Sequence, residues 1–438
     1  MPRRQTAHEE STSKTDLIVE DRAAPGGFDL SVKPVPSART WSRPARYWPM
    51  LTAATEQLDP PLAALHLDAL RYNTHDMLRR AAGKPIRIAS KSIRVRSVLN
   101  AVLALPGYHG VLAYTLPEAL WLATDIEDVV VGYPTADRAA IRTLATSPEL
   151  AARVTLMIDS IAQLDLIDSV LPPSRRERLR VCLELDSSWQ APGLGHVGVW
   201  RSPVYTASDA RALAQRIASR EGFALVGMMG YEAQIAGQGD KPNGRPAWGA
   251  TLRWMQKSSK AELLERRSAA VAAVRSVADL EFVNGGGTGS LEFTAADPSV
   301  TEIAAGSGLF GGHLFDNYAS FKPAPAAAFA LSVVRKPSPD TATILGGGWV
   351  ASGPAGADRL PQLAWPTGLR MVAREMAGEV QTPVTGAAAS ILRPGDRVWF
   401  RHTKSGELSE HVNEFHLVDQ GRVVAALPTY RGEGKAFL

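Results

Sequence analysis

Eight short apolar runs alternate with helical patterns through the middle of the chain, and this alternation most constrains the fold. The runs lie at residues 86–90, 110–114, 128–132, 153–159, 180–186, 224–230, 281–284 and 301–305. The helical stretches between them lie at 94–104, 117–124, 136–146, 160–171, 208–220 and 260–277. Runs rich in Val, Ile and Leu that alternate with longer helical patterns are typical of parallel strands joined by crossover helices. Eight such strands predict an α/β protein with a closed (β/α)8 TIM-type barrel rather than an open doubly wound sheet.

The two ends of the chain follow other patterns. Residues 1–57 are predicted to be an N-terminal extension that is partly disordered, because its first forty residues are polar and rich in Ser, Pro and charge. The barrel domain is predicted to occupy residues 58–328. An apolar run at its start, 61–67, is interpreted as a lead-in strand that is not one of the eight barrel strands. Beyond the barrel domain, β-like segments punctuated by Gly and Pro predict a β-rich C-terminal domain over 329–438. These segments lie at 329–334, 341–345, 397–401, 413–418 and 422–427.

Composition argues against several classes of function. The formal net charge is only +4 among 48 basic and 44 acidic side chains, and the arginines are scattered, so nucleic-acid binding is not expected. The longest uncharged stretch, 97–117, is broken by Pro106, Gly107 and Gly110, so no membrane span is predicted. The basic N-terminus is not followed by the apolar segment of a secretory signal. The single cysteine, Cys182, rules out a disulfide framework and suits the reducing cytoplasm.

Reactive groups of such barrels come from the C-terminal ends of the strands and the loops that follow. The predicted strands place there Lys91, Asp159, Asp186, Tyr231, residues 285–288 and residues 306–308. Most lysines are surface charges, but an amine at this place can form a Schiff base with a carbonyl. Two glycine-rich loops follow the seventh and eighth strands, where barrels commonly bind phosphate. Pyridoxal 5'-phosphate offers both an aldehyde and a phosphate, and it supplies the electron sink that carbanion chemistry needs.

Several motifs in chain order resemble one enzyme family. They are LDPPL (58–62), LDALRYN (67–73), RIASKSIR (87–94), HVGVWRSP (196–203), GYEAQIAG (230–237), NGGGTG (284–289), TEIAAGS (301–307), GDRVWFRH (395–402) and TYRGEGK (429–435). Together they are similar to the fold-type III pyridoxal-phosphate enzymes, whose barrel is that of the alanine racemase N-terminal domain. Within that group the chain is more similar to D-threonine aldolases, D-serine dehydratases and bacterial amino acid deaminase/aldolase proteins.

The resemblance implies roles for particular residues. Lys91 would be the catalytic Schiff-base lysine and the base at Cα. In the family an arginine near the position of His196 donates to the 3-hydroxyl of the cofactor, and either His196 or Arg201 could take that role here. His196 is therefore a candidate for both catalysis and cofactor binding. The remaining residues assigned to the cofactor are Tyr231, Asn284, Gly286, Gly287, Thr288, Gly306 and Ser307.

The triplet His402-Thr403-Lys404 departs from the metal-dependent members of the family. Those enzymes supply a histidine and, two residues later, an Asp or Cys as metal ligands. A lysine cation cannot replace such a ligand, so we expect no divalent metal, and Lys404 becomes a catalytic candidate that binds a substrate carboxylate or polarises a β-oxygen. The alternative is a metal bound by His402 together with His411, Glu407 or Glu410.

These features predict a pyridoxal-phosphate-dependent lyase that acts on small β-hydroxy-α-amino acids of the D-configuration. Retro-aldol cleavage and β-elimination both remain open. Trp349 stands near the place where alanine racemases carry a second catalytic base, a tyrosine, so an amino-acid racemase is the less favoured alternative. A non-catalytic pyridoxal-phosphate carrier is a second alternative, although carriers of that kind end with the barrel. The resemblance also implies a homodimer.

Overall fold

A computed structural model of the protein describes residues 27–33, 35, 39–404 and 406–438. The disorder predicted within residues 1–57 falls mainly on residues that lie outside these ranges. The helices are α1 Pro44–Ala54, α2 Leu67–Arg80, α3 Arg96–Leu103, α4 Leu116–Leu122, α5 Arg138–Ala145, α6 Pro148–Arg153, α7 Ile161–Val170, α8 Ala207–Ala218, α9 Ala233–Ala236, α10 Pro246–Arg275, α11 Leu291–Ala296, α12 Ser307–Phe310 and α13 Glu407–His411.

The strands fall into a barrel, a second sheet and one hairpin. The barrel strands are β2 Ile86–Ala89, β3 Tyr108–Ala113, β4 Val129–Val131, β5 Val154–Ile158, β6 Leu179–Glu184, β9 Phe223–Gly230, β10 Phe282–Gly285 and β11 Glu302–Ala305. The second sheet contains β1 Leu62–His66, β12 Ala327–Ser338, β13 Thr341–Leu345, β14 Gln362–Trp365, β15 Arg370–Met371, β16 Gln381–Thr385, β17 Arg397–Arg401, β18 Glu414–Asp419 and β19 Arg422–Pro428. The hairpin consists of β7 Trp189–Ala191 and β8 Gly195–Val197.

All eight predicted barrel strands are confirmed, and they close in the order β10-β11-β2-β3-β4-β5-β6-β9 with parallel pairing throughout. Alternate side chains point to opposite faces of a strand, so each strand contributes to two cores. Val130, Met157, Cys182 and Phe282 pack together inside the barrel. Cys182 is thus a free, buried core residue. The predicted fold class is correct because the apolar runs are short and both of their faces are covered.

The lead-in strand predicted outside the barrel is indeed outside it, as β1. It pairs antiparallel with β12 and parallel with β18, so it belongs to the sheet formed mainly by the C-terminal region. The sequence did not indicate β14, β15 or β16, which are two to five residues long and include Pro383. Such short strands carry too few alternating positions to give a pattern of their own.

Helix α10 and the β7–β8 hairpin also differ from the sequence-based expectation. Helix α10 begins at Pro246, well before the expected start at residue 260, and includes Gly249. Proline fits the first turn of a helix, but a proline and a glycine so close together weaken the helical signal in the sequence. The hairpin follows β6, and the apolar pattern did not indicate it.

The C-terminal region packs onto the barrel of the same chain beside the loop after β2. The Ser409 hydroxyl donates to the carbonyl of Ile93 over 2.8 Å. A side chain at Gly406 would collide with the carbonyl oxygen of Lys91, so glycine permits this close approach. The Tyr430 hydroxyl donates to the buried carboxyl of Glu118 over 3.0 Å. These contacts hold α13 and its preceding loop at the C-terminal mouth of the barrel. Within the described ranges, no helix is both long and apolar enough to cross a membrane.

We expect a buried histidine of β1 to make the stability of the fold sensitive to acid. Burial lowers the pKa of His66 to about 4, and the carboxylates of Asp68 and Asp419 only partly oppose this shift. The folded chain thus excludes a proton that the unfolded chain binds below about pH 6.5. The free energy of unfolding should fall as the pH falls from about 6.5 to about 4, by up to about 1.4 kcal/mol per pH unit for this group.

Urea unfolding at a series of pH values measures this effect in the wild type and in His66→Leu. The leucine fits the apolar surroundings of Trp41 and Tyr47, which contact the imidazole edge-on. We expect a shallower pH dependence in the variant. Parallel curves for the two proteins would contradict the assignment.

Candidate active site

A cavity of about 420 Å³ opens at the C-terminal end of the barrel and is closed on one side by the C-terminal region. Its volume is in the range typical of small-molecule sites. Many of the residues predicted from the sequence to form the site line this cavity. They are Lys91, Arg201, Tyr231, Gly286, Gly287, Thr288, Gly306, Ser307 and Lys404. Residues more than 300 positions apart in the chain thus share one cavity.

Lys91 lies in the 3₁₀ turn Ser90–Ser92 that directly follows β2. Its Nζ donates to the Tyr133 hydroxyl over 2.8 Å. Burial raises the pKa of Tyr133, but the ammonium of Lys91 and the guanidinium of Arg201 outweigh that effect and bring the pKa below its ordinary value. Tyr133 follows β4 and lines the cavity, so the amine of Lys91 has beside it a hydroxyl whose pKa is lowered.

The two glycine-rich loops meet at Thr288. Its hydroxyl oxygen accepts from the Ser307 hydroxyl and from the Gly308 N–H, each over 3.0 Å. A side chain at Gly287 would lie 3.0 Å from Cβ of Ala236, so the absence of one keeps this wall of the cavity open. The loops form one continuous cradle with two hydroxyls at its centre, and such a cradle suits an oxyanion.

The N–H groups of the first loop are not all free to bind a ligand. The Gly286 N–H donates to the carboxylate of Glu232 over 3.0 Å, and the Gly287 N–H donates to the Ser290 hydroxyl over 3.1 Å. Glu232 also accepts from the Thr294 hydroxyl over 2.6 Å. This completely buried carboxylate therefore fixes the shape of the loop, while Thr288 and Ser307 face the cavity.

Arg201 reaches the cavity from the segment after the β7–β8 hairpin. Its Nε lies 2.9 Å from Oε1 of Glu184, and its Nη2 donates to the carbonyl of Gly132 over 3.0 Å. The guanidinium carbon lies 4.7 Å from the ring centre of Tyr133 and 5.5 Å from that of Tyr231. Burial raises the pKa of Glu184 to about 7, against the influence of Arg201. Arg201 thus spans the cavity floor between two tyrosines.

Three residues of the sequence-based site do not line the cavity. His196 lies on the β7–β8 hairpin, where its ring stacks on Trp200 at a centroid distance of 3.8 Å. Asn284 lies within β10, and its amide donates to Glu302 over 2.8 Å. His402 is buried behind the cavity wall, next to Gly312. The cavity lining thus includes neither His196 nor Asn284, and their assignment to the cofactor remains a prediction.

Two acidic residues that follow predicted strands are also engaged elsewhere. Asp159 accepts from the side-chain amide of Gln163 over 2.6 Å. Asp186 accepts from the backbone N–H and the hydroxyl of Ser188 over 2.8 and 3.0 Å. Neither aspartate lines the cavity.

The C-terminal region supplies a polar wall of three side chains, Arg359, Lys404 and Glu407. The Lys404 N–H donates to Oε1 of Glu407 over 2.7 Å. Burial lowers the pKa of Lys404, and the positive charges of Arg359 and Lys91 lower it further. Burial raises the pKa of Glu407 to about 7. The wall therefore presents two basic side chains and one carboxyl that titrates near neutral pH.

Tyr133 and Arg359 line the cavity but were not predicted from the sequence, and Glu407 was predicted only as an alternative metal ligand. Tyr133 follows Gly132, the last residue of a predicted barrel strand, so its position after a strand end was a usable signal. Arg359 lies in a loop rich in Gly, Pro and Ala between β13 and β14, and no local pattern distinguishes it.

His402 lies in an environment that keeps its ring neutral. Burial lowers its pKa to about 3, and the positive charges of Arg401 and His313 act in the same direction. Among the residues that the structure describes, no three His, Cys, Asp or Glu side chains are grouped closely enough to hold a metal ion. Trp349 stacks on Phe329 and on His411 with centroid distances of 4.3 and 4.9 Å, while the nearby Val350 and Ser352 line the cavity.

The amino-acid sequence of the chain is similar to those of known proteins. The model of the family described as alanine racemase, N-terminal domain, matches residues 65–313. The chain is 26% identical over 265 residues to a 3-hydroxy-D-aspartate aldolase of Paracoccus denitrificans, and the aligned part is 58% of this chain and 61% of that aldolase. It is 25% identical over 301 residues to a D-threonine aldolase of Arthrobacter sp, covering 65% of this chain and 70% of the relative.

Solved structures share the fold over most of the chain. The D-threonine aldolase from Filomicrobium marinum superposes with a TM-score of 0.70 at 20% identity, over 86% of this chain and 96% of that one. The D-threo-3-hydroxyaspartate dehydratase from Delftia sp. HT23 superposes with a TM-score of 0.63 at 18% identity, over 87% of this chain and 98% of that one. At these identities the likeness concerns the fold, which includes the C-terminal sheet as well as the barrel.

Proposed function

The chain belongs to the alanine racemase N-terminal domain family, and on this basis we propose that it is a pyridoxal-phosphate-dependent lyase acting on β-hydroxy-α-amino acids of the D-configuration. The relatives named above are an aldolase of 3-hydroxy-D-aspartate, an aldolase of D-threonine and a dehydratase of D-threo-3-hydroxyaspartate. Each of these names describes a reaction in which a β-hydroxy-α-amino acid loses a bond at Cβ. The proposal is therefore an aldolase or deaminase reaction on that class of substrate.

One observation carries this proposal: Lys91 and both glycine-rich loops border a single cavity at the C-terminal end of the barrel. An amine and a phosphate-binding cradle are the two groups that pyridoxal phosphate requires. The Gly286 N–H already donates to the carboxylate of Glu232. The phosphate would therefore be held by the Thr288 and Ser307 hydroxyls and by other nearby backbone N–H groups. Tyr231 and Arg201 would border the cofactor ring.

When bound, the cofactor supplies an electron sink for the carbanion that forms at Cα of the substrate. Lys91 would hold the cofactor in the resting enzyme and move a proton at Cα during the reaction. The Tyr133 hydroxyl, 2.8 Å from the amine, would orient Lys91 and exchange a proton with it. Lys91 directly follows a barrel strand and lines the cavity, which suits both roles.

Glu407 and Lys404 are the groups we assign to the β-oxygen of the substrate. With a pKa of about 7, the Glu407 carboxyl exists in both protonation states near neutral pH. It can accept the hydroxyl proton as Cα–Cβ breaks, which gives glycine and an aldehyde. It can also donate a proton to the departing hydroxyl, and the resulting product then hydrolyses to a keto acid and ammonia. Lys404 would stabilise negative charge on the same oxygen or on a carboxylate.

We propose that the reaction needs no divalent metal. The support is chemical: Lys404 stands two residues after His402, where a metal-binding relative would need a carboxylate or thiolate. Elemental analysis of the purified protein and activity after treatment with a chelator test this point. Stoichiometric zinc or manganese, or loss of activity on chelation, would overturn it.

The decisive experiment is product analysis by mass spectrometry with D- and L-forms of threonine, serine and 3-hydroxyaspartate. Glycine with an aldehyde would identify an aldolase, and a keto acid with ammonia would identify a deaminase. Inversion at Cα without cleavage would identify a racemase. Bound cofactor with no turnover of any member of the panel would favour a carrier protein and reject the proposed activity.

Two variants separate the candidates for contact with the cofactor ring. Arg201→Met should lower kcat/KM by roughly 10- to 100-fold, since a hydrogen bond from a charged donor contributes about 1.5–3 kcal/mol. His196→Ala should change it by no more than a few fold, because this histidine lies on the hairpin and stacks on Trp200. Steady-state kinetics and the cofactor dissociation constant measure both effects. A larger loss in His196→Ala than in Arg201→Met would reverse the assignment.

We propose that the protein acts as a homodimer in the cytoplasm. The hairpin turn and the neighbouring segments expose several large apolar side chains, which supports an interface there. They are Leu194, Trp200, Trp248 and Trp254, with exposures of 63%, 83%, 52% and 55%. The single buried cysteine suits a reducing compartment. Light scattering coupled to size-exclusion chromatography tests the dimer, and a monomeric mass at enzyme-assay concentration would contradict it.

A further inference from the structure

Arg359 is a largely buried cation whose one ion pair, among the residues that the structure describes, is weak. Its side chain is only 12% exposed, and its Nε and Nη1 atoms are shielded from solvent without a hydrogen-bond acceptor. Its ion pair, from Nη2 to the largely exposed neighbour Asp358, is long at 3.7 Å. A guanidinium carries five N–H donors and cannot release its charge in a protein. A buried group of this kind requires an anion to compensate it.

The position of Arg359 is fixed by the surrounding backbone. The Thr403 hydroxyl donates to the carbonyl of Arg359 over 3.1 Å, and the Ala351 N–H donates to the same oxygen over 2.9 Å. A side chain at Gly353 would lie 2.8 Å from Nε of Arg359, so the guanidinium lies directly on the backbone there. The arginine is thus held in place at the wall of the cavity, although no acidic side chain of the described chain pairs closely with it.

The charges around the cavity are unbalanced in favour of cations. Lys91, Arg201, Arg359 and Lys404 all line it. Arg201 is paired with Glu184, and Glu407 already accepts from the backbone N–H of Lys404. With Lys91 joined to the cofactor and the cofactor phosphate at Thr288 and Ser307, Lys404 and Arg359 are the cations left for the substrate. A β-hydroxy-α-amino acid with one carboxylate would pair with only one of them. A substrate with two carboxylates could engage both Lys404 and Arg359.

We propose that Arg359 binds a distal carboxylate, so that the preferred substrate is a β-hydroxy-α-amino dicarboxylic acid. This inference rests on the proposed lyase function and adds the chemical class of the substituent at Cβ. A guanidinium forms charge-assisted hydrogen bonds with a carboxylate, and Nη2 of Arg359 is the nitrogen that is not shielded from the cavity side. A methyl group or hydrogen in the same place would leave a buried charge uncompensated, and a site built in this way discriminates strongly against such analogues.

The first test is equilibrium binding, which does not depend on turnover. The holoenzyme is titrated calorimetrically with succinate and with butyrate, which have four carbons each and lack the amino group needed to react. The ratio of succinate to butyrate affinity should fall by about 100-fold in Arg359→Met, in keeping with the loss of a charge-assisted pair. Arg359→Lys should recover only part of it, because an ammonium lacks the planar fork.

Arg393→Met serves as a matched control, because Arg393 is exposed and lies outside the cavity. It should leave the affinity ratio unchanged. Thermal unfolding without ligand provides a second readout. Arg359→Met should unfold no earlier than the wild type, since it removes a buried charge that has no close partner. A marked loss of stability would indicate a structural role.

The second test compares substrates. The ratio of kcat/KM for D-threo-3-hydroxyaspartate to that for D-threonine should fall by about 100-fold in Arg359→Met and stay constant in Arg393→Met. Equal losses for the two substrates, or for succinate and butyrate, would mean that Arg359 binds the α-carboxylate and would overturn the inference. If succinate binding depends on Arg359 but no β-hydroxy amino acid is consumed, the carboxylate site stands and the proposed lyase function fails.

Discussion

Lys91→Ala is expected to abolish turnover of β-hydroxy-α-amino acids, with a loss of at least about 10⁴-fold, since proton transfer by a positioned group alone contributes 10²–10⁴-fold. The variant also removes the amine that would hold the cofactor, so two functions are lost with one side chain. The visible absorbance band of the purified protein should disappear or shift to that of free pyridoxal phosphate. Rapid-quench assays and absorbance spectra measure the two effects.

The loss should not arise from misfolding, because the hydrogen bond of the Lys91 side chain is to Tyr133 at the edge of the cavity. Circular dichroism and thermal unfolding of the variant should match those of the wild type. Lys257→Ala is a suitable control, since Lys257 is exposed on α10 and should affect neither spectrum nor turnover. A Lys91→Ala protein with an unchanged spectrum would reject the proposed cofactor chemistry.

Arg87→Met is expected to destabilise the fold by about 3–5 kcal/mol, the usual cost of removing one member of a buried ion pair. Arg87 is buried at the N-terminal end of β2, at the opposite end of the barrel from the cavity. Its Nε donates to Glu302 over 2.6 Å, and its Nη1 donates to Asp128 over 2.8 Å. Its loss leaves two carboxylates without their common cation, and Glu302 is itself buried.

Chemical denaturation of three proteins tests this explanation. Arg79→Met makes the same substitution in an ion pair with Asp76 whose arginine side chain is 71% exposed, and it should cost less than about 1 kcal/mol. The double variant Arg87→Met/Glu302→Gln should recover part of the lost stability, because it removes the charge left behind. An equal or larger loss in the double variant would show that packing, rather than charge, dominates the effect.

Much of the fold could be predicted from local pattern. Each barrel strand is a short run of Val, Ile, Leu or Ala between turn residues, and the eight runs are separated by segments long enough for a crossover. The weak points were β14 to β16, which are too short for a pattern, and the start of α10, where Pro246 and Gly249 obscure the helix. Membership of β1 in the C-terminal sheet was not predictable, because it depends on pairing with β12 and β18, more than 250 residues away.

Some residues of the candidate active site could also be predicted from local pattern, and others could not. The places of Lys91, Tyr231, Thr288 and Ser307 followed from the sequence, since each stands just after a barrel strand and parallel strands end on the same side. His196 was assigned by its place in a motif, whereas in the structure it lies on the β7–β8 hairpin and does not line the cavity. Glu232 lies within the motif GYEAQIAG (230–237), but the motif does not indicate its role. Only its hydrogen bond with the Gly286 N–H shows that it shapes the glycine-rich loop after β10.

The sequence by itself determined the barrel, the side of it on which chemistry occurs and the lysine at its centre, because strand period and strand ends are local properties. Tertiary structure decided which distant groups complete the cavity. Tyr133 reaches Lys91 through the curvature of the barrel, and Arg359, Lys404 and Glu407 reach it because a separate sheet packs onto the barrel mouth. The path of a loop and the direction of a side chain depend on contacts between segments far apart in the chain, and no local pattern encodes them.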